Sequence, residues 1–255
     1  MEILIAKDYE AVSEKAAKII SEHITRKKNS VLGLATGSTP LGLYAELVRM
    51  YRKGEINFSQ IKTFNLDEYY GLEPSHSQSY AHFMHENFFR YVNIPPENVH
   101  IPNGTASKEK LKEYCQEYEN EIKQAGGIDL QILGIGIDGH IGFNEPGSSQ
   151  DSRTRLITLD ESTIDTNWEK FYKNSCPSKE KMPHSAITMG ISTILEAKKI
   201  LLLASGKEKA EIAARFIKNG VTDNIPASFL KLHKNVIILL DKDAASKFRG
   251  NVKND

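Results

Sequence analysis

The chain has 255 residues, 40% hydrophobic and 26% charged, and its 33 Lys plus Arg match its 33 Asp plus Glu. That is ordinary globular composition, and zero net charge offers neither a basic field for nucleic acid nor a polybasic membrane anchor, although a local basic pocket for a small anion remains open. The start, Met1-Glu-Ile-Leu-Ile-Ala-Lys7, lacks signal-peptide character, no apolar run nears the roughly 20 residues of a membrane span, and Cys115 and Cys176 stand far apart outside any CxxC pair.

A cytoplasmic enzyme or binding protein with two unpaired thiols is therefore expected. Along the chain, short apolar runs alternate with amphipathic stretches. Ile3–Ala6 is the first run, and Val12, Ala16, Ile19, Ile20 and Ile24 follow at helical spacing. After Val31–Ala35, Thr39 is a candidate N-cap and Pro40 a first helical residue for a helix to about Arg52. Ile61–Leu66 is the third run, Ser79–Tyr91 an aromatic-rich helix, and Lys108–Gln124 a charged surface helix. Leu130–Ile137 and Leu156–Leu159 are further runs. Asn167–Pro183 is polar, rich in Lys and Ser, and reads as a mobile loop or lid. Ile200–Ala204, a helix over Lys207–Ile217 and a last run, Val236–Leu240, complete the pattern.

Strand–helix alternation predicts an α/β fold whose mostly parallel sheet, of about seven strands, is covered by helices on both faces. This is a Rossmann-like three-layer sandwich. Without a visible linker, residues 1–255 are expected to form one domain, with the lid around 160–185.

Four segments carry chemistry. In Leu34-Ala-Thr-Gly-Ser-Thr-Pro40 a strand turns into a helix, whose free N–H groups can bind an anion with help from Thr36, Ser38 and Thr39. Alone, this reads as an ordinary N-capped βα turn, and it lacks the Gly-Lys-Ser/Thr of a Walker motif. In Thr63-Phe-Asn-Leu-Asp-Glu-Tyr69, Asp67 and Glu68 end an apolar run, either as a desolvated general base or as a solvent-facing acidic loop. Ser205-Gly-Lys-Glu-Lys209 again joins strand to helix, with Lys209 a phosphate ligand or a surface lysine.

The fourth segment, Leu133 to Pro146, places Asp138, His140 and Glu145 beyond an apolar run. Its Gly134-x-Gly136-x-x-Gly139, with Asp160 about 20 residues on, formally matches a dinucleotide fingerprint. The continuation is wrong, because the third glycine should open a helix and Asn144-Glu145-Pro146 breaks one. An acid–base cluster fits better: histidine titrates near neutrality, and flanking carboxylates orient it. Zinc is disfavoured, since no further soft ligand or helical i, i+4 spacing is present.

Together these segments resemble the glucosamine-6-phosphate deaminase family. The matching strings are LGLATGSTPLGLY, TFNLDEYYGL, LGIGIDGHIGFNEPGSS with SRTR, ITMGI and SGKEKAEIAARF, spread over residues 31–235. DGHIGFNEP is specific; the related 6-phosphogluconolactonases continue differently after the histidine.

The resemblance implies conversion of glucosamine 6-phosphate and water to fructose 6-phosphate and ammonia, without metal or organic cofactor. It implies that His140 opens the sugar ring, that Asp138 and Glu145 orient and polarise it, and that Asp67 moves the proton from C2 to C1. Thr36, Gly37, Ser38 and Thr39 would wrap the phosphate, with Lys209 as counter-charge. The family's lid arginine has no direct match, and Lys170 is the nearest cation. Family members that respond to N-acetylglucosamine 6-phosphate carry a further C-terminal segment and a basic residue where Ile157 stands. Ser148 and Arg155 match, yet no strong allosteric activation is expected. Galactosamine 6-phosphate is the nearest alternative substrate, and lactone hydrolysis the alternative reaction. Expected partners are small sugar phosphates, with a monomer or small homo-oligomer as assembly.

Overall fold

The computed structural model describes residues 1–173, 176, 178–248 and 253–254; side chains at 162, 170, 171, 253 and 254 lie outside it. The strands are β1 (Glu2–Ala6), β2 (Val31–Leu34), β3 (Lys62–Asn65), β4 (Asp67–Tyr69), β5 (Val99–His100), β6 (Leu130–Gly134), β7 (Arg155–Thr158), β8 (Ser185–Thr188), β9 (Ile200–Ala204), β10 (Val236–Asp241) and β11 (Lys253–Asn254). The α-helices are α1 (Tyr9–Arg26), α2 (Leu41–Arg52), α3 (Tyr80–Asn87), α4 (Leu111–Gln124), α5 (Glu161–Asn167), α6 (Ile191–Leu195) and α7 (Ala210–Lys218).

Eight strands pair in the order β11-β1-β10-β9-β6-β2-β3-β5, and every pairing is parallel. In a parallel sheet buried on both faces, successive side chains enter opposite apolar layers. In β9, Ile200, Leu202 and Ala204 join one core with α4, α6 and α7, whereas Leu201 and Leu203 join the other with α1, α2 and α3. This is why Ile200–Ala204 reads as an unbroken apolar run, and the three-layer α/β expectation holds.

Three local expectations change. The run Leu156–Leu159 falls mostly in β7 (Arg155–Thr158), which belongs to a separate antiparallel sheet, ordered β4-β8-β7, rather than to the main sheet. Pro40, not Thr39, is the N-cap of α2, and no side chain caps that helix. The stretch expected to be a loop from Asn167 begins in helix instead. α5 continues into a π-helical turn, Trp168–Tyr172, and a short 3-10 turn covers Lys179–Lys181. Ile164, Trp168 and Tyr172 recur every four residues and pack with Tyr69, Phe143 and Met182, an apolar stripe hidden within the polar composition.

Strands β9, β6, β2 and β3 lie side by side, and the loop after each leaves from the same, carboxyl edge. Ligands of open α/β sheets bind at that edge.

Candidate active site

The four loops border a cavity of about 280 Å³, at the small end of ligand pockets. Thr36, Gly37, Ser38 and Thr39 line one wall. Gly37 has φ 109° with open space where a Cβ would point, so the backbone turn alone calls for glycine there. Tyrosines staple this loop from behind: Tyr9 Oη donates to Ser38 O at 3.1 Å and accepts from Gly42 N–H at 2.7 Å, while Tyr44 Oη donates to Ala35 O at 2.6 Å. The start of α2 is thus held facing the cavity, where its N-terminal N–H groups favour an anion. Lys209 faces the same cavity. Its loop is fixed by buried Asp241, which accepts from Gly206 N–H at 2.9 Å, Ala244 N–H at 2.6 Å and the Ser205 hydroxyl.

Asp67 and Glu68 are neighbours in β4, so strand alternation sends them to opposite sides. Glu68 turns to protein: Oε1 accepts from Tyr69 and Tyr80 N–H at 2.8 and 2.9 Å, and Oε2 from Ala81 N–H at 2.8 Å. It is a structural acceptor at the start of α3. Asp67 turns to the cavity, only 5% exposed. Desolvation, reinforced by the charge of Glu68, pushes its pKa up to about 8.

His140 faces the same cavity, with Nδ1 2.7 Å from Asp138 Oδ1, close but poorly aligned for a linear hydrogen bond. The same Oδ1 accepts the backbone N–H of His140 at 3.1 Å. Burial opposes the Asp138 charge, but the hydrogen bond and charge of His140 prevail and hold its pKa below the ordinary value. No helix follows Gly139, so the nucleotide fingerprint fails structurally as it does in the sequence. Gly136 has another purpose, since a Cβ there would lie 2.3 Å from the imidazole.

A family profile described as glucosamine-6-phosphate isomerases/6-phosphogluconolactonase matches residues 6–239. The chain belongs to that family. It is 56% identical over 246 residues to a glucosamine-6-phosphate deaminase of Thermoanaerobacter sp. (strain X514), covering 96% of this chain and 94% of the relative. Against the glucosamine-6-phosphate deaminase of Clostridium novyi (strain NT), identity is 54% over 247 residues, covering 97% and 100%. A solved structure described as a monomeric glucosamine-6-phosphate deaminase superposes with a TM-score of 0.91 at 43% identity, covering 97% of this chain and 100% of that one.

In this member of the isomerase/lactonase family, Thr36, Gly37, Ser38, Thr39, Asp67, Asp138, His140 and Lys209 all line the cavity. Glu145 does not. It is buried behind the His140 turn, where Oε2 accepts from Asp160 N–H at 2.9 Å and Oε1 has no hydrogen-bond partner among the described residues. Burial raises its pKa, against the hydrogen bonds from Thr163 and Asp160. Lys170 lies in the π-helical turn, and its side chain is outside the described residues.

Several lining groups escaped the sequence reading. Thr163, Thr166 and Asn167 line the cavity at i, i+3 and i+4 on α5, a polar stripe that could have been found once the segment was read as helix. Tyr80 and Phe143 also line it, with rings stacked at 5.8 Å and 3°. Asn167 Nδ2 donates to Tyr69 Oη at 2.9 Å, tying α5 to β4 beside Asp67. Among the described residues no helix is long and apolar enough to cross a membrane, and no cluster of three or more His, Cys, Asp or Glu suits a metal ion.

Proposed function

We infer that this chain converts glucosamine 6-phosphate and water to fructose 6-phosphate and ammonia. The observation that carries the reading is a carboxyl group and an imidazole–carboxylate pair facing one sugar-sized cavity, opposite a βα loop built to receive an anion. Kinship with deaminases over nearly the whole chain supports the same substrate.

The phosphate docks on Thr36–Thr39 and Lys209, remote from the reacting carbons, and its binding energy holds the sugar in register. His140 takes the proton of the C1 hydroxyl and delivers one to the ring oxygen, breaking the C1–O5 bond; Asp138 fixes the ring and its charge. Asp67 then removes the C2 proton, giving an enolamine, and returns it at C1, giving an imine at C2. Water adds to that carbon and ammonia leaves, so fructose 6-phosphate remains. An aspartate with pKa about 8 is well matched to proton removal from carbon, because it is a strong base once ionised, and the positive ammonium at C2 of the bound substrate favours ionisation. Glu145 acts from behind, holding the His140 turn to the start of α5.

The whole chain acts as one domain in this reading. Residues around 160–185 serve as the lid in this reading, with Lys170 the candidate cation for the phosphate; residues 174, 175 and 177 and the Lys170 side chain lie outside the described residues. The enzyme is cytoplasmic and a monomer or small homo-oligomer.

The test is a coupled assay for ammonia and fructose 6-phosphate, with galactosamine 6-phosphate and 6-phosphogluconolactone run beside glucosamine 6-phosphate. Stoichiometric ammonia and fructose 6-phosphate are expected from glucosamine 6-phosphate. Binding without ammonia release would make the chain a sugar-phosphate sensor instead.

A further inference from the structure

Asp67, Thr188 and Arg155 form one row across the small antiparallel sheet: Asp67 pairs with Thr188, and Thr188 pairs with Arg155. Directly opposed residues project from the same face. That face abuts the turn after His140, and the three side chains reach three consecutive residues of it. Asp67 Oδ2 lies 3.2 Å from where a Cβ of Gly142 would stand. Thr188 Oγ1 accepts the Phe143 N–H at 3.2 Å, and Arg155 Nη1 donates to Asn144 Oδ1 at 2.9 Å. Asn144 then closes the turn by donating from Nδ2 to Ile141 O at 2.9 Å and to Met189 O, the residue after Thr188, at 2.8 Å.

We propose that Thr188 and Arg155 are positioning residues: they fix the His140 turn against β4 and so set the separation between the imidazole that opens the ring and the carboxyl that moves the C2 proton. The proposal rests on the roles inferred above for Asp67 and His140. Thr188 is fully buried and does not line the cavity, so any effect on turnover runs through the groups it holds. Its hydroxyl accepts from Phe143 and donates to Met189 O at 3.4 Å, and both bonds together orient it. There is no slack in the contact. Gly142 has φ 57°, and a Cβ there would stand only 3.1 Å from Thr188 Oγ1. Valine keeps the shape of threonine but leaves the Phe143 N–H unpaired, which frees the turn to shift.

The test compares Thr188→Val, Thr188→Ser and Arg155→Met with the natural chain, measuring kcat and KM for glucosamine 6-phosphate and thermal melting. Misplacement of reacting groups by a fraction of an ångström lowers kcat by roughly tenfold to a hundredfold. That loss is expected for Thr188→Val, with KM within about twofold, and recovery to within about threefold is expected for Thr188→Ser. Arg155→Met, at a half-buried position, is expected to lower kcat in the same selective way. A purely structural role would lower the melting temperature and leave kcat per folded molecule unchanged in all three. That result overturns the proposal while the natural chain still releases ammonia. No ammonia from the natural chain itself overturns the deaminase reading, and this proposal with it.

Discussion

Gly136 and His140 are packed so closely that one methyl group on the glycine would stand 2.3 Å from ring Nδ1. The imidazole therefore rests on bare backbone, and Gly136→Ala must push it out of place. Turnover of glucosamine 6-phosphate is expected to fall roughly a hundredfold, while inorganic phosphate binding at the α2 loop stays unchanged by calorimetry. A near-normal kcat in this variant would show that the ring position is not critical.

Asp67→Asn removes the proposed carbon base with little change of shape. Loss of a general base lowers rates by roughly 10² to 10⁴. Ammonia release is expected to drop by at least that, with affinity for fructose 6-phosphate held within a few-fold by the untouched phosphate loop. Normal activity would sink the assignment of the C2 proton to this carboxyl.

The raised pKa of Asp67 makes two pH predictions. Because the base must be ionised, kcat/KM should climb with pH through about 8, and the acid limb should vanish in Asp67→Asn. For stability the sign is reversed from the usual carboxylate case. The folded chain retains a proton that the unfolded chain loses near its ordinary pKa of 3.8. Stability is therefore fully present below that pH and declines until pH passes about 8. The melting temperature of Asp67→Asn should draw ahead of the natural chain across this window and then run parallel to it.

At the opposite edge of the sheet, buried Asp129 accepts from Val31 N–H at 2.9 Å and pairs with Lys27 at 2.5 Å and Lys198 at 2.7 Å. Burial opposes its charge, but the two lysines and the N–H hold its pKa below the ordinary value. Both lysines are well exposed, so solvent weakens the pairs. Asp129→Ala is expected to cost about 1–3 kcal/mol in urea unfolding, with kcat intact. The difference should shrink as pH falls through the folded pKa, since the contribution exists only while Asp129 is ionised.

Much of this molecule is legible in the sequence, and the rest is hidden for physical reasons. Ile200–Ala204 and Val236–Leu240 read as strands because both their faces are buried. β4, β5 and β8 are two to four residues long, too short for any period to emerge. The glycine-containing turns announce the loops that carry His140 and Thr36–Thr39, and the end of an apolar run announces Asp67. They do not reveal that Glu68 faces protein while Asp67 faces the cavity, which depends on where the strand begins. Glu145 is adjacent to the turn in sequence but sits behind it, because Pro146 and the Asp160 N–H draw it toward α5. Thr163, Thr166 and Asn167 become recognisable as a wall only after the chain folds α5 across the cavity.

The position of β1 has a consequence for how the chain is made. Glu2–Ala6 leaves a ribosome long before its partners, β10 and β11. Such distant pairing raises contact order and slows closure. The partners of β2, β3, β5 and β6 lie within the first 134 residues, so these strands can pair among themselves before β10 is made. Pulse-labelled hydrogen exchange during refolding should accordingly protect Leu32 and Gly33 before Ile3–Ile5. β1, made well before its partners, is in this order among the last strands to pair.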